Sequence, residues 1–146
     1  MSVNIMSKKP QAHRKLSDQE FSSQFTDCTL KPAYFTHEAH LRLAWIELNR
    51  LTLDEAIESV CQLIQNYAAA LGATDKFNRT ITTAAVKMVD HFMRRSQSDS
   101  FEALLAEFPR MGEDFKGLMN AHYSFDIYRN AEARKTYLEP DLAPFD

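Results

Sequence analysis

Three short stretches of the sequence carry the capping-box pattern that begins α-helices. They are residues 17–20 (SDQE), 52–55 (TLDE) and 99–102 (DSFE), and apolar residues at helical spacing follow each one. In such a box the first side chain accepts a hydrogen bond from the backbone three residues later, and the glutamate reaches back. After the second box the apolar stripe continues to Gly72, a residue typical of helix carboxyl ends. These patterns constrain the chain to helices that pack through their apolar stripes.

The composition favours the same fold class. Only three glycines and five prolines occur in 146 residues, which leaves little material for a turn-rich β architecture. A chain of this length suits one domain with one core. We therefore expect an all-α, compact single-domain bundle of about six or seven helices. The first begins near residue 17, and the others cover about 36–51, 53–71, 80–95, 99–108, 112–123 and 125–136.

The two ends of the chain lack helical periodicity. Residues 1–15 mix Ser, Asn, Lys, Pro and Gln, which predicts a flexible leader with a solvated His13 and places the single helical domain at residues 16–146. The carboxyl end, LEPDLAPFD from Leu138 to Asp146, contains prolines that hold the backbone extended. We expect this tail to lie across the helices.

Charge and motif content argue against several functions. The net charge of -3 and the pI near 5.9 provide no broad basic surface, so nucleic acid and membrane surfaces are not expected partners. The absence of a membrane-spanning apolar run or signal core makes a cytoplasmic location the expectation. Cys28 and Cys61 form no disulfide framework and are expected to be reduced. The sequence contains no serine-hydrolase elbow, Walker loop or dinucleotide-binding fingerprint.

The segment FTHEAHLRLAW, residues 35–45, contains the strongest candidate site. His37 and His40 lie three residues apart at the start of a predicted helix, so both imidazoles extend its inward face. This spacing allows both rings to bind one divalent transition-metal ion, as the Glu-x-x-His pair does in helical bundles. The positive end of the helix dipole favours neutral imidazole, which can bind metal or polarise a carbonyl. A metal site normally needs a third protein ligand.

Several groups elsewhere in the chain can complete this site, and chemistry alone does not choose among them. The candidates are the run HYS at residues 122–124, the run KFNRTIT at residues 76–82, and Asp90 with His91 in the fourth predicted helix. His122 can supply an imidazole nitrogen, Tyr123 a phenolic donor and Asn78 a hydrogen-bonding amide. Asp90 can orient a metal-binding histidine by accepting a hydrogen bond from the ring nitrogen that does not bind the metal.

The same residues also have ordinary structural explanations. Histidines at helix starts often satisfy free backbone groups, and a bare H-x-x-H pattern has a high false-positive rate. Arg134 on a predicted helix can clamp a ligand carboxylate, but it can equally fix the acidic tail at Glu139 and Asp141. We expect the tail to be its partner.

Four motifs follow one another along nearly the whole chain after the leader: FTHEAHLRLAW, KFNRTIT, HYS, and EAR followed by EPDLAP. Together they resemble a family of small, uncharacterised, mainly bacterial helical proteins with the pattern F-x-H-x-x-H-L-R-x-A-W, Y-H-x-T-x-T, H-Y-S, and A-R before P-D-L-x-P. The resemblance implies an all-helical fold and a pocket that gathers His37, His40, Thr80, Thr82, His122 and Tyr123. One position departs from the pattern, because Asn78 stands where the family-like motif has an imidazole. If that imidazole is a ligand, this chain binds metal weakly or uses another third group.

The sequence favours a small helical enzyme that acts on a small polar molecule. This hypothesis includes an enzyme that depends on a metal ion and one that does not. In this hypothesis the catalytic residues are His37, His40, His122 and Tyr123, the metal ligands are the three histidines of that set, and the ligand-binding residues are Asn78, Thr80, Thr82 and Arg134. One alternative is a noncatalytic module that binds or senses a small ligand. Another is an interaction or structural protein with packing histidines, such as a homodimer formed through an apolar helix face.

Overall fold

Helices provide all the regular secondary structure in residues 11–145, the part of the chain that the computed structural model describes. The helices are α1 (Asp18–Thr26), α2 (His37–Leu48), α3 (Leu53–Ala70), α4 (Arg79–Arg94), α5 (Phe101–Glu107), α6 (Arg110–Glu113), α7 (Phe115–Asn120) and α8 (Ala131–Lys135). Short 3-10 turns lie at Ala12–Lys15, Pro32–Tyr34 and Thr74–Lys76. The prediction of an all-α single domain is confirmed. No helix in this described range has the length and apolar character needed to span a membrane.

The first two capping boxes form as the sequence predicts. Ser17 accepts a hydrogen bond from the backbone N–H of Glu20 and donates its own N–H to the Glu20 carboxylate. Thr52 and Glu55 make the same reciprocal pair at the start of α3. The third predicted box does not form, because Ser100 rather than Asp99 caps α5 and accepts from the backbone N–H of Ala103, a residue that cannot reach back. Each pair satisfies backbone N–H groups that have no partner within the helix.

Helices α2, α3 and α4 pack against one another and form the centre of the core. Helix α2 is buried on several sides: Ala39, Leu41, Leu43 and Ala44 are each at most 1% exposed. A helix with apolar residues around most of its circumference must lie inside the protein. Two charged side chains on α2, Arg42 and Glu47, are accordingly buried.

The segment before α1 is fixed on α2 by a buried histidine. His13 is 1% exposed and lies in the turn Ala12–Lys15. Its Nε2 donates to the Glu38 carboxylate at 2.8 Å, and its Nδ1 accepts from Arg42 at 3.2 Å. The prediction of a solvated His13 is wrong, and the predicted leader is ordered from Gln11 to Lys15. The rest of that predicted leader, residues 1–10, lies outside the described residues.

The carboxyl-terminal part departs most from the predicted helices. The long helices expected at 112–123 and 125–136 are replaced by α6, α7 and α8, with turns over residues 121–130. Asp114 accepts from the backbone N–H of Gly117 and begins α7, while Asn130 accepts from that of Ala133 and begins α8. Short polar side chains that bind nearby backbone groups compete with helix continuation. The tail over residues 138–145 contains no helix or strand and bends at residues 141–142, and its Phe145 is only 8% exposed.

Candidate functional site

A pocket of about 300 Å³ lies among α2, α3 and α4 and takes in both histidines of the FTHEAHLRLAW segment. We call it the central pocket. Its lining consists of His37, His40 and Ala44 from α2, Val60 and Ile64 from α3, Ile81, Thr82, Ala85 and Val86 from α4, Lys76, Phe77 and Asn78 from the segment before α4, and Phe115 and Tyr128. Most of these side chains are apolar. The few polar groups therefore determine which ligand orientation the pocket favours.

His40 presents a hydrogen-bond acceptor to the central pocket. Its Nδ1 donates to the carbonyl of Thr36 at 3.0 Å, and its ring stacks on Phe35 with 3.7 Å between ring centroids. Since the proton is on Nδ1, Nε2 carries the lone pair, and no described residue donates to it. Burial lowers the pKa of His40 to about 4, the Thr36 contact opposes this shift, and the nearby His37 adds to it. His40 is therefore neutral at pH 7.

His37 lies at the edge of the central pocket with its side chain partly in solvent. Its Nε2 donates to the carbonyl of Met111 at 3.0 Å, and its ring lies 4.9 Å from that of Phe115. Burial of the ring lowers the pKa of His37, while the Met111 contact and the charge of Glu38 oppose the shift. The ring thus joins α2 to α6 and α7, and Nδ1 remains as an acceptor.

The polar residues of KFNRTIT have separate roles. Asn78 caps α4 with its side-chain carbonyl oxygen, and its amide N–H donates to the carbonyl of Ile127 at 2.9 Å. Because both polar groups are already paired, Asn78 contributes mainly a rigid surface to the central pocket. Thr82 lines the pocket, and its hydroxyl makes no hydrogen bond to any described residue. Thr80 is fully buried outside the pocket lining, where its hydroxyl donates to the carbonyl of Thr136 and accepts from the backbone N–H of Leu138.

His122 and Tyr123 do not join His37 and His40. The Nδ1 of His122 donates to the carbonyl of Ala143 at 2.8 Å, and its ring stacks on Phe145 with 4.3 Å between centroids. The Tyr123 hydroxyl donates to the carbonyl of Leu138 at 2.7 Å. Both side chains hold the tail. The predicted three-histidine metal site is therefore wrong, and residues 11–145 contain no group of three or more His, Cys, Asp or Glu placed to hold a metal ion.

Arg134 does not bind the acidic tail. Its guanidinium donates to the backbone carbonyl of Asp75, in the turn Thr74–Lys76 next to the central pocket. The Asp141 carboxylate instead accepts from the backbone and the hydroxyl of Ser124. The expectation of a tail partner for Arg134 is wrong. Asp90 and His91 lie outside the lining of the central pocket, where Asp90 accepts from Arg94 at 3.0 Å.

Lys76, Phe115 and Tyr128 are among the lining residues to which the sequence assigned no role in the site. Lys76 begins the run KFNRTIT, so its proximity to Asn78 was the one available signal. Phe115 and Tyr128 come from the irregular carboxyl-terminal part, where no periodicity indicates their direction. Burial is the main cause that raises the pKa of Tyr128, with the charge of Asp126 adding to it, so its hydroxyl stays protonated as a donor.

The structural role of His122 makes a testable prediction. The substitution His122→Ala removes the contacts to Ala143 and Phe145 and is expected to lower the free energy of unfolding by about 1–2 kcal/mol. Urea denaturation followed by circular dichroism measures this change. Unchanged stability of this variant would contradict the structural role of His122.

Comparison of the chain with models of known families, with curated proteins and with solved structures gives no match. The resemblance to the family of small helical proteins therefore stays a prediction from the sequence motifs. The feature of the described chain that bears most directly on function is His40 with its apolar surroundings in the central pocket.

Proposed function

We propose that this protein is a noncatalytic binding module that takes a small, largely apolar molecule into the central pocket. The ligand donates one hydrogen bond to Nε2 of His40. The observation that carries the proposal is a neutral imidazole, fixed through Nδ1 to the Thr36 carbonyl, whose second nitrogen has no described donor and whose pocket is mainly apolar. His40 is partly exposed, so a ligand donor can reach Nε2, and the apolar lining strengthens the hydrogen bond that forms there.

The pocket volume indicates the size of the ligand. An engineered cavity of about 150 Å³ in another protein binds benzene. The central pocket, at about 300 Å³, has room for a molecule of roughly twice that size, such as a bicyclic aromatic compound. The hydroxyls of Thr82 and Tyr128 offer further hydrogen bonds at the pocket wall. A ligand with an apolar body and one or two polar groups fits these features.

Ligand binding is better supported than acid–base catalysis or a metal-dependent reaction. A general base works best when its pKa is close to the ambient pH. With a pKa of about 4, His40 is a good hydrogen-bond acceptor but a weak base. For a metal, the described chain offers two imidazoles without a third ligand, and the His37 Nε2 already donates to Met111. These properties favour the noncatalytic alternative.

Two naphthalene probes test the proposed hydrogen bond. The first, 2-naphthol, carries a hydroxyl donor, and the second, 2-methoxynaphthalene, has the same rings without a donor. At roughly 0.5 kcal/mol per non-hydrogen atom, 2-naphthol should bind with a Kd of about 0.1 mM. We expect the methoxy compound to bind about tenfold more weakly, because the His40 acceptor then stays unpaired. Isothermal titration calorimetry measures both affinities.

Variants make the test specific to the site. His40→Leu should abolish the preference for 2-naphthol while an apolar probe still binds. Ala85→Phe should reduce binding of both probes because its side chain fills part of the pocket. His122→Ala is the matched control outside the pocket and should retain the preference. Equal affinities of wild type for the two probes, or an unchanged preference in His40→Leu, would refute the proposal.

A further inference from the structure

Charge is distributed unevenly around the central pocket. Among its lining residues, Lys76 is the one side chain that is charged at neutral pH, and the lining contains no Asp or Glu. The two histidines are neutral because their pKa values are lowered, and the pKa of Tyr128 is raised. Any fixed charge that a bound molecule meets in this lining is therefore positive.

The ammonium of Lys76 is available to a ligand. Lys76 is exposed at the end of the turn Thr74–Lys76, and among the described residues it forms no salt bridge and no side-chain hydrogen bond. By contrast, two arginines of α2 and the segment before α1 are already paired, Arg14 with Glu38 and Arg42 with Asp18. An unpaired cation beside an apolar pocket is well placed to meet an anionic group.

Charged groups near Lys76 strengthen the positive character of this side of the central pocket. The guanidinium of Arg134 is held against the same turn by the carbonyl of Asp75. Arg79 lies 5.8 Å above the ring of Phe77, a lining residue, and its 3.7 Å contact with the exposed Glu58 is a weak pair. Lys76, Arg79 and Arg134 exceed the carboxylates of Asp75 and Glu58 by one positive charge. Beside the lining residue Tyr128, Lys116 and Asp126 contribute one charge of each sign.

Two helices also begin at the pocket. Helix α2 starts with His37 and α4 follows the cap residue Asn78, and both residues belong to the lining. The amino end of a helix carries a partial positive charge that adds to that of Lys76. The acidic residue in the first turn of α2, Glu38, lies outside the lining and is occupied by Arg14 and His13. No carboxylate of the lining neutralises these ends.

We propose that the ligand is an amphipathic monoanion: a hydroxy-carboxylic acid with an apolar body of one or two rings. The carboxylate of this ligand lies beside Lys76, and its apolar body fills the space between α2, α3 and α4. The ligand hydroxyl donates to Nε2 of His40. This inference depends on the proposed function, because it names the class of ligand for the same pocket.

Matched acids and amides test the charge preference. The probes are 6-hydroxy-2-naphthoate and 3-(4-hydroxyphenyl)propanoate, a rigid and a flexible hydroxy acid, each compared with its neutral carboxamide. At least one acid should bind about tenfold more tightly than its amide at 50 mM salt. Screening should reduce this ratio to about threefold at 0.5 M salt. Isothermal titration calorimetry at pH 7 gives all the affinities.

Substitutions of Lys76 distinguish a local contact between this lysine and the ligand from an effect of the net charge of the protein. Lys76→Met should equalise the acid and the amide, whereas Lys76→Arg should keep most of the preference. Lys31→Met is the matched control, because it removes the same charge from an exposed lysine outside the central pocket. An equal effect of Lys31→Met and Lys76→Met would overturn the inference.

The outcomes also distinguish this inference from the proposed function. If acids and amides bind equally while 2-naphthol still binds better than 2-methoxynaphthalene, the anionic ligand class is wrong and the binding function stands. If none of the phenols, acids or amides binds, both proposals are wrong. If the acid preference is present in Lys76→Met, another cation is responsible and the assignment to Lys76 fails.

Discussion

Replacing Arg42 by methionine should lower the free energy of unfolding by about 3–5 kcal/mol. Arg42 is 7% exposed and donates to the carbonyls of His13 and Leu16 at 2.7 and 2.8 Å and to the Asp18 carboxylate at 2.8 Å. Its guanidinium also lies 4.8 Å from the centre of the Phe21 ring. Methionine fills part of this volume but leaves several acceptors without a donor, and unpaired buried acceptors are strongly destabilising.

Urea denaturation at pH 7 measures the effect, with Arg110→Met as the control. Arg110 pairs with Asp114 on the surface, where both side chains are more than half exposed, so its loss should cost less than about 1 kcal/mol. Arg42→Lys should be nearly as destabilising as Arg42→Met, because one ammonium cannot reach all the acceptors of the forked guanidinium. Similar destabilisation by Arg42→Met and Arg110→Met would show that the buried network contributes little.

Acid should destabilise the protein by about 3 kcal/mol through His40 alone. The pKa of this histidine is about 4 in the folded protein, against an ordinary value near 6.5 in the unfolded chain. The unfolded chain therefore takes up the proton first as the pH falls. The contribution of the neutral ring is fully present above pH 6.5 and is lost progressively between about pH 6.5 and pH 4. Lowered pKa values of His13, His37 and Glu38 act in the same direction.

Urea denaturation at several pH values between 7 and 4 measures this dependence. His40→Phe removes the titrating ring. Over this pH range the free energy of unfolding of this variant should therefore fall by about 3 kcal/mol less than that of the wild type. Phe35→Leu is the matched control, since it disturbs the ring stack without removing a titratable group and should keep the wild-type slope. The same slope in wild type and His40→Phe would contradict a buried neutral imidazole at this position.

The central helices were predictable because their signals are local. Ser17 and Thr52 act within three residues of their partners, and the apolar stripe of α3 repeats within a few turns. The joint presence of His37 and His40 in one pocket follows from their three-residue spacing on α2. These features need no knowledge of distant parts of the chain.

The rest of the site depends on contacts between residues far apart in sequence. His122, Tyr123 and Thr80 have side chains suited to a polar pocket, but partners in the tail or near its start take their hydrogen-bonding groups. His13 lies in a segment without periodicity, and its burial depends on Arg42, 29 residues later. A residue type alone does not reveal which of several suitable partners it meets.

The first turn of α4 has a consequence for the synthesis of this protein. Asn78 and Thr80 are held by Ile127, Thr136 and Leu138, partners 49 to 58 residues further along the chain. During translation, α2, α3 and α4 leave the ribosome well before these partners do. A nascent chain therefore completes the first turn of α4, beside the central pocket, only after residue 138 has emerged, and the proposed ligand is expected to stabilise molecules that have completed this last step.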